Sequence, residues 1–389
     1  VDLPPMDDQN KNLILAFALS LMVIIGWFAL FPPPEPAPRE TVAQEELVPP
    51  PAQTTGEGVA DASMADETAT GTARVDIDSR RLTGTIALTG GRIDDLQLRD
   101  YRETTAPGSD IVHLLNPVGG NREPFYALYG WSPRGALGTD QVPGPNTVWE
   151  QVGDNTLTTD RPVTLRWDNG EGLVFTRTIS IDDNFLFTVA QSVENQTDAP
   201  VALDPYGILA QHGLPSDLEN FFISHEGMIL MADGSLTEDS YKNMRGYTQS
   251  ETERTPASVT HVAENGWIGL TGKYFMAALI GDQGQGFTAV SQYVPGADIY
   301  QTSIRQPTLT VAPGETAQSS SMLFAGAKEW SVIRNYERET GIDRFVDAID
   351  WGWFFFLTKP IFSMLYFING IIGNMGWSIL VLTLLIKAV

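Results

Sequence analysis

Cysteine is absent from the 389 residues. No disulfide can form, no thiolate can act as nucleophile, and no cysteine-based zinc site is available. Histidine is scarce. The four are His113, His212, His225 and His261, and none pairs at i, i+4 or at a metal-ligand interval. Only His225, in ISHEG, has an adjacent carboxylate, Glu226. Positive charge is also short: 24 Lys and Arg stand against 48 Asp and Glu, a formal charge of −24. That excludes the basic face on which direct nucleic-acid binding depends, and suits a soluble, self-repelling domain outside the cell membrane. Nucleotide loops are missing. Gly90-Gly91 and the glycines of GDQGQG (281–286) form no GxGxxG between strand and helix, and no GK[ST] occurs. There is no G-x-S-x-G elbow. The acidic pairs Glu45-Glu46, Asp94-Asp95 and Asp182-Asp183 lack the alternation and glycine of a calcium loop and read as turns and solvated faces. No catalytic residue, metal ligand or cofactor is assigned.

Apolar text is concentrated at the two ends. Residues 13–31 are a run of 19 mostly apolar residues, long enough to span a hydrocarbon core of ~30 Å. The run ends in WFALFPPP, with bulky side chains where a signal peptidase requires small ones. An uncleaved transmembrane anchor over 12–31 is therefore expected. Residues 1–11 form a tail, in which 1–5 read as a cloning remnant ahead of a natural start at Met6. Residues 32–73 read as a disordered spacer. PPPEPAP is stiff and extended, and the Ala-, Thr-, Glu-, Gln- and Gly-rich remainder cannot bury enough apolar surface to fold. Local charge orients the anchor weakly, with Lys11 on one side and Arg39 on the other.

From Arg74 the text changes to short alternating segments. Leu82, Gly84, Ile86 and Leu88 alternate with polar residues up to Gly90-Gly91. Leu173, Phe175, Arg177, Ile179 and Ile181 alternate up to Asp182-Asp183-Asn184, and Phe185, Phe187 and Val189 resume beyond it, which predicts a hairpin. Residues 267–280 and 303–324 continue the pattern, with Ala312-Pro313-Gly314-Glu315 as a turn. Many short strands at regular spacing predict a mainly β domain, a large antiparallel β-sandwich, over 74–327. The first clear helical periodicity falls at 328–350. There Trp330, Ile333 and Tyr336, then Ile342, Phe345 and Ile349, predict two connecting helices broken near Gly341. Packing on the sheet and binding a partner are equally open as their role.

Residues 350–389 divide in two. The stretch 351–372 is aromatic and apolar, interrupted by Lys359-Pro360, with Lys359, Ser363, Tyr366 and Gly370 in one line along a helix. That predicts a helix lying in a membrane interface over 351–373, marked by Trp351, Trp353, Phe354, Phe355, Lys359, Pro360 and Phe362. From Gly376 the sequence is almost wholly aliphatic, and 374–389 read as the start of a second transmembrane helix. Its one charge, Lys387, lies ten residues beyond Trp377, about 15 Å along a helix and so near the middle of a ~30 Å core. A lysine there either faces a hydrated groove or marks a helix end and snorkels to the headgroups.

The two ends carry a resemblance. FLTKPIF, GNMGWSI and an aliphatic helix with a lone basic residue resemble the start of the membrane core of the YidC family. These are bacterial inner-membrane protein insertases related to the mitochondrial Oxa and chloroplast Alb proteins. MDDQNKNLILAFALSLMVIIGWFALFPPP is similar to the opening of members from Gram-negative bacteria. The resemblance implies a multi-pass inner-membrane protein with a cytoplasmic N-terminus and a twisted periplasmic sandwich of the sugar-mutarotase kind. It implies an insertase and chaperone of membrane proteins and not an enzyme, with a polar groove that lowers the cost of moving hydrophilic client segments across the bilayer. Lys387 would line that groove, where the family carries one basic residue, commonly Arg. A lysine lacks the bidentate fork of arginine. The implied partners are nascent membrane proteins, SecYEG and SecDF, the ribosome through regions beyond this sequence, and the lipid bilayer. Two other readings stand beside it. An anchored periplasmic sandwich that binds glycans or envelope proteins explains neither the interfacial helix nor the charged second span. A sugar isomerase needs a converging acid and base that the scattered histidines do not supply.

Overall fold

The computed structural model describes residues 73–153, 155–218, 224–352 and 354–388. The expected anchor at 12–31, the expected spacer apart from Ala73, and Trp353 lie outside the described residues.

In chain order the strands are β1 (Arg74–Asp78), β2 (Leu82–Ala87), β3 (Arg92–Arg102), β4 (Ile111–Leu115), β5 (Phe125–Arg134), β6 (Glu150–Val152) and β7 (Val163–Asp168). They continue with β8 (Leu173–Ile181), β9 (Leu186–Asn195), β10 (Val201–His212), β11 (Gly227–Ala232), β12 (Ser235–Ser240) and β13 (Ala257–Val262). The last are β14 (Gly266–Thr271), β15 (Phe275–Ile280), β16 (Phe287–Val294), β17 (Ile299–Arg305), β18 (Leu309–Val311) and β19 (Thr316–Ala327). A short helix, α1 (Tyr241–Arg245), follows β12. One sheet has ten strands in the order β1-β2-β3-β5-β10-β17-β16-β13, with β4 on β3 and β18 on β10. The other has nine, in the order β12-β11-β14-β15-β19-β9-β8-β7-β6. All these pairings are antiparallel, as the alternation predicts.

The period of two decides where the core lies. Along β10, Leu203 and Leu209 join the main core between the sheets, together with Phe175, Phe187, Leu279 and Leu323. Tyr206, Ile208 and Ala210 face the other way and form a second apolar cluster with Tyr126, Leu128 and Ile299. The ten-stranded sheet is thus covered on both faces. Asp182 closes the β8–β9 hairpin: its Oδ1 accepts from the N–H groups of Asn184 at 2.9 Å and Leu186 at 3.0 Å, an Asx turn.

Arg177 occupies an inward position of β8 and is fully buried. Its Nη1 donates to the carbonyls of Gly90 (3.2 Å) and Gly91 (3.0 Å), and its Nη2 to the carbonyl of Tyr129. Its guanidinium lies 4.5 Å from the centre of the Trp149 ring. Strand β8 belongs to the nine-stranded sheet and Tyr129 to the ten-stranded one, so one side chain ties the sheets together. Burial lowers the Arg177 pKa to about 10. The group stays charged at neutral pH, solvated by carbonyl dipoles. Gly91 sits at φ 60°, and a Cβ there would fall 2.5 Å from Arg177 Nη1; only glycine fits.

After β19 the chain forms α2 (Trp330–Asn335), which runs on through a π-helical stretch (Tyr336–Thr340) to Gly341. The second expected connecting helix is only a 3-10 turn, Phe345–Ala348. Arg344, in the left-handed region at φ 47°, interrupts the helical course between Ile342 and Phe345, which both lie in the core. Two apolar helices follow, α3 (Phe355–Ile372) and α4 (Met375–Ala388). The helix expected from Trp351 begins at Phe355 and passes Pro360 without a break. Pro360 lies in the second turn, where it removes a single i→i−4 donor, and its fixed φ is already helical.

Arg177→Met keeps the bulk but strips three buried carbonyls of their donor. Urea unfolding is expected to show a loss of roughly 2–4 kcal/mol. Thr176→Val, on the opposite face of the same strand, is expected to cost less than about 1 kcal/mol. Equal losses would contradict the inter-sheet clamp.

Candidate functional site

The least soluble surface of the described chain is carried by α3 and α4. Phe354, Phe355, Phe356, Phe367 and Ile371, then Trp377, Leu380 and Leu384, are each half or more exposed. Helix α3 has 18 residues, about 27 Å at the usual rise. By length and composition it is long and apolar enough to cross a membrane; α4, with 14 residues, is apolar but shorter. The chain reverses at Gly373, whose φ of 72° and N–H bond to the Asn369 carbonyl (2.7 Å) cap α3. Ser378 Oγ donates to the Asn374 carbonyl at 2.8 Å, and Ile368, Ser378 and Leu382 are buried where the two helices pack.

Residues 328–350 are stitched to both sheets. Glu329 accepts from Arg81, on the β1–β2 turn, and from Tyr101 of β3. Arg81 also donates from Nε to Asp100 at 2.6 Å and lies 4.2 Å over the Phe185 ring. Tyr336 Oη donates to Asp182 at 2.6 Å and accepts from the Phe185 N–H at 3.0 Å. Trp267 Nε1 donates to the Asp343 carbonyl at 3.0 Å. This segment packs on the sandwich, which is one of the two roles left open by the sequence.

Helix α3 hangs from that segment. Asp347, nine-tenths buried, receives Lys359 Nζ on Oδ1 and Arg344 on Oδ2, at 2.8 Å from Nε and 2.6 Å from Nη2. Arg344 also donates to the Gly234 carbonyl in the β11–β12 turn. Trp330 packs on α3 with ring centres 4.5 Å from Tyr366 and 5.6 Å from Phe362. Trp351 lies 5.6 Å from Phe362 and donates to the Val346 carbonyl at 2.9 Å. Of the polar line read in the sequence, Lys359 and Tyr366 turn to the sandwich side, while Ser363 and Gly370 stay exposed. Trp351, Lys359 and Phe362 thus meet at one joint. Phe354, Phe355 and Pro360 lie exposed at the start of α3. Lys387 is exposed on the last turn of α4 and is not part of this joint.

Lys328 is the other charge at the junction. Its Nζ donates to Thr271 Oγ1 at 3.0 Å. Burial lowers its pKa from 10.5 to about 8, against the attraction of Asp350, Glu238 and Glu226. The histidines are engaged elsewhere. The His225 ring Nε2 is 2.8 Å from the Met228 carbonyl, and the His225 backbone N–H donates to Asp350 at 2.7 Å. His212 is 3.3 Å from Tyr126 Oη, and His261 is 3.1 Å from Thr288 Oγ1. Among the described residues no three metal-binding side chains gather.

A β-sandwich ending in an exposed apolar hairpin is the setting in which known proteins become informative. Residues 74–364 match the family described as the YidC periplasmic domain. The chain belongs to the YidC family. A membrane protein insertase YidC of Cereibacter sphaeroides is 54% identical over 394 residues, covering 98% of this chain and 63% of that protein. That of Dinoroseobacter shibae is 54% identical over 393 residues, covering 98% and 64%. The chain therefore spans just under two thirds of the length of these relatives. Among solved structures, a galactose mutarotase related enzyme from Lactobacillus acidophilus is similar, with a TM-score of 0.43 at 13% identity, covering 65% of this chain and 97% of the other. Two joint residues of this YidC-family chain were not assigned to a joint from its sequence: Asp347, and Trp330, which was read only as part of a helical period. Asp347 is 12 residues from Lys359, and no helix or strand period links such positions. The legible signal was the lone lysine in apolar text, which calls for a counter-charge.

The Lys328 shift has a defined sign. The folded pKa lies below the unfolded one, so between about pH 8 and 10.5 the unfolded chain binds more protons and stability rises with pH. Lys328→Met is expected to melt higher near pH 7, by roughly 1–3 kcal/mol, and to lose the advantage as the pH passes 10.5. A difference independent of pH would contradict a buried charge. For the joint, a double-mutant cycle of Asp347→Asn and Lys359→Met is expected to give a coupling of roughly 1–3 kcal/mol. Simple additivity would mean that the pair does not hold α3.

Proposed function

We propose that this chain is part of a membrane protein insertase and chaperone of the bacterial inner membrane. Its clients are nascent membrane proteins, handled alone or with SecYEG and SecDF, and the ribosome engages parts of the protein beyond the span matched here. The observation that carries the reading is an exposed apolar hairpin held through a buried carboxylate to an acidic sandwich, in a chain 54% identical to insertases. In this reading residues 12–31 anchor the chain with its N-terminus in the cytoplasm, and 32–73 are a spacer. Residues 74–327 stand in the periplasm and 328–350 connect them to the membrane. Residues 351–373 lie in the outer interface, and 374–389 begin the second span.

What supports an interfacial course for α3 is where it touches the sandwich side. Lys359, Phe362 and Tyr366 all make contact, the last two thirds of the way along the helix. A helix crossing the bilayer leaves the reach of a water-soluble domain within a turn or two, at 1.5 Å per residue. A helix lying flat keeps its whole length within reach and sets its exposed phenylalanines among the acyl chains.

Lys387 is the residue on which insertion chemistry turns. A lysine near mid-membrane costs roughly 2.5–3.5 kcal/mol on insertion scales, a cost that the surrounding aliphatic residues offset at roughly 0.3–0.6 each. Facing a hydrated groove, it keeps water at a depth where a hydrophilic client segment otherwise meets only lipid. No bond-making step is required. In the full-length protein, Lys387→Arg is expected to retain insertion of a Sec-independent client. Lys387→Leu is expected to impair insertion without lowering protein levels. Wild-type insertion by Lys387→Leu would reduce the charge to a helix-end marker.

A further inference from the structure

The turn between α3 and α4 consists of Gly373 and Asn374 and is held from both sides. Asn374 caps α4, its Oδ1 accepting the Trp377 N–H at 3.2 Å. Its carbonyl accepts the Ser378 N–H at 3.0 Å and the Ser378 hydroxyl at 2.8 Å. On α3, the Asn369 carbonyl accepts the Gly373 N–H at 2.7 Å, and Asn369 Oδ1 lies 3.5 Å from Ser378 Oγ. Ser378 thus touches the facing ends of both helices. It is fully buried, and Leu382, one turn on, is nearly so, whereas Trp377, Leu380 and Leu384 are each more than half exposed. That contrast marks the side of α4 that lies on α3. Lys387 comes nine residues after Ser378, about two and a half turns, and so stands on the opposite side of the helix.

We infer that Ser378 is a positioning residue for Lys387. By holding this side of α4 against α3, it turns the lysine to the side away from α3, where a client segment approaches. The inference rests on the role given to Lys387 above. The contact requires a small side chain. In lipid no hydrophobic force drives two apolar helices together, and close approach of their backbones supplies the packing instead. Ser378 has one heavy atom beyond Cβ, and its hydroxyl is turned back to the Asn374 carbonyl, so its donor is satisfied within the helix. A leucine at this position cannot stay between the helices without parting them. Exchanging it for the next residue along α4 rotates the helix by about 100° and carries Lys387 through the same angle. The sandwich fixes α3 through Asp347 and Trp330. The contacts at Ser378 and Leu382 extend that control to the orientation of Lys387.

Two neighbouring positions of α4 report its orientation at nearly the same depth. Leu384 is three residues before Lys387 and on its side, while Leu385 is seven residues after Ser378 and on the side of α3. In the full-length protein, a photo-cross-linking residue in place of Leu384 is expected to capture a stalled Sec-independent client several-fold more than one in place of Leu385. Ser378→Leu is expected to equalise or reverse the two yields and to lower insertion several-fold at an unchanged protein level. The conservative Ser378→Ala is expected to preserve both the ratio and the insertion. Equal capture from the two positions in the parent, a comparison that needs no change at Ser378, overturns the inference. So does a Ser378→Leu variant that cross-links and inserts like the parent while Lys387→Leu fails; that result leaves the role of Lys387 standing. Wild-type insertion by Lys387→Leu rejects the role of the charge and this inference with it.

Discussion

Asp347 joins two parts of one chain that need different solvents. The sandwich carries the acidic excess and keeps its large apolar side chains inside. Helix α3 does the reverse, with Phe355, Phe356, Phe367 and Ile371 half or more exposed. Neither part can follow the other into its medium, so the contact between them must be small, directional and resistant to water. One nearly buried carboxylate meets these conditions. It holds Lys359 of α3 on one oxygen and Arg344 on the other, and Arg344 reaches the β11–β12 turn. The aromatic contacts of Trp330 and Trp351 shield the pair from competing water and fix the direction of the helix axis.

The same device recurs inside the sandwich with a different counterpart. Arg177 is charged and buried, yet carbonyls rather than carboxylates solvate it, and they come from the β2–β3 turn and strand β5 of the opposite sheet. At the start of the connecting segment, Arg81 binds Asp100 and Glu329 together, and those carboxylates raise its pKa against the effect of burial. Each of these buried cations sits where two elements distant in sequence must keep a fixed relation. Removing one partner leaves an uncompensated charge or unpaired carbonyls, so each junction is more costly to break than a surface ion pair.

The antiparallel sandwich was legible in the sequence because its strands announce themselves one at a time. The β8–β9 hairpin could be read from alternation up to Asp182-Asp183-Asn184, and the Asx turn there is made by that same Asp182. Arg177 was legible as a member of the alternation but not as a clamp. Its partners lie 87, 86 and 48 residues away, and no local pattern carries such distances. The helix beginning at Trp330 followed from its period, whereas its expected successor reduces to a 3-10 turn because Arg344 adopts a left-handed φ of 47°. The apolar helix α3 was visible by composition. The partners of Lys359 and Tyr366 were not, since Asp347 and Trp330 reach them only through the fold.

Rigidity at the joint restricts where movement can occur. Several tethers fix the connecting segment to the sandwich, among them Glu329 to Arg81, Tyr336 to Asp182, Asp343 to Trp267 and Arg344 to Gly234. The sandwich, this segment and the first two thirds of α3 therefore behave as one body. Freedom returns at Gly373, where the backbone holds a φ of 72° that side-chain-bearing residues rarely adopt and where an added Cβ would meet nothing within 4 Å. Beyond it, α4 leans on α3 chiefly through Ile368, Ser378 and Leu382, a narrow seam. The angle between α4 and α3 is thus set apart from the contacts that hold α3 to the sandwich. The sandwich fixes the course of α3, and the glycine after it sets the angle at which α4 departs.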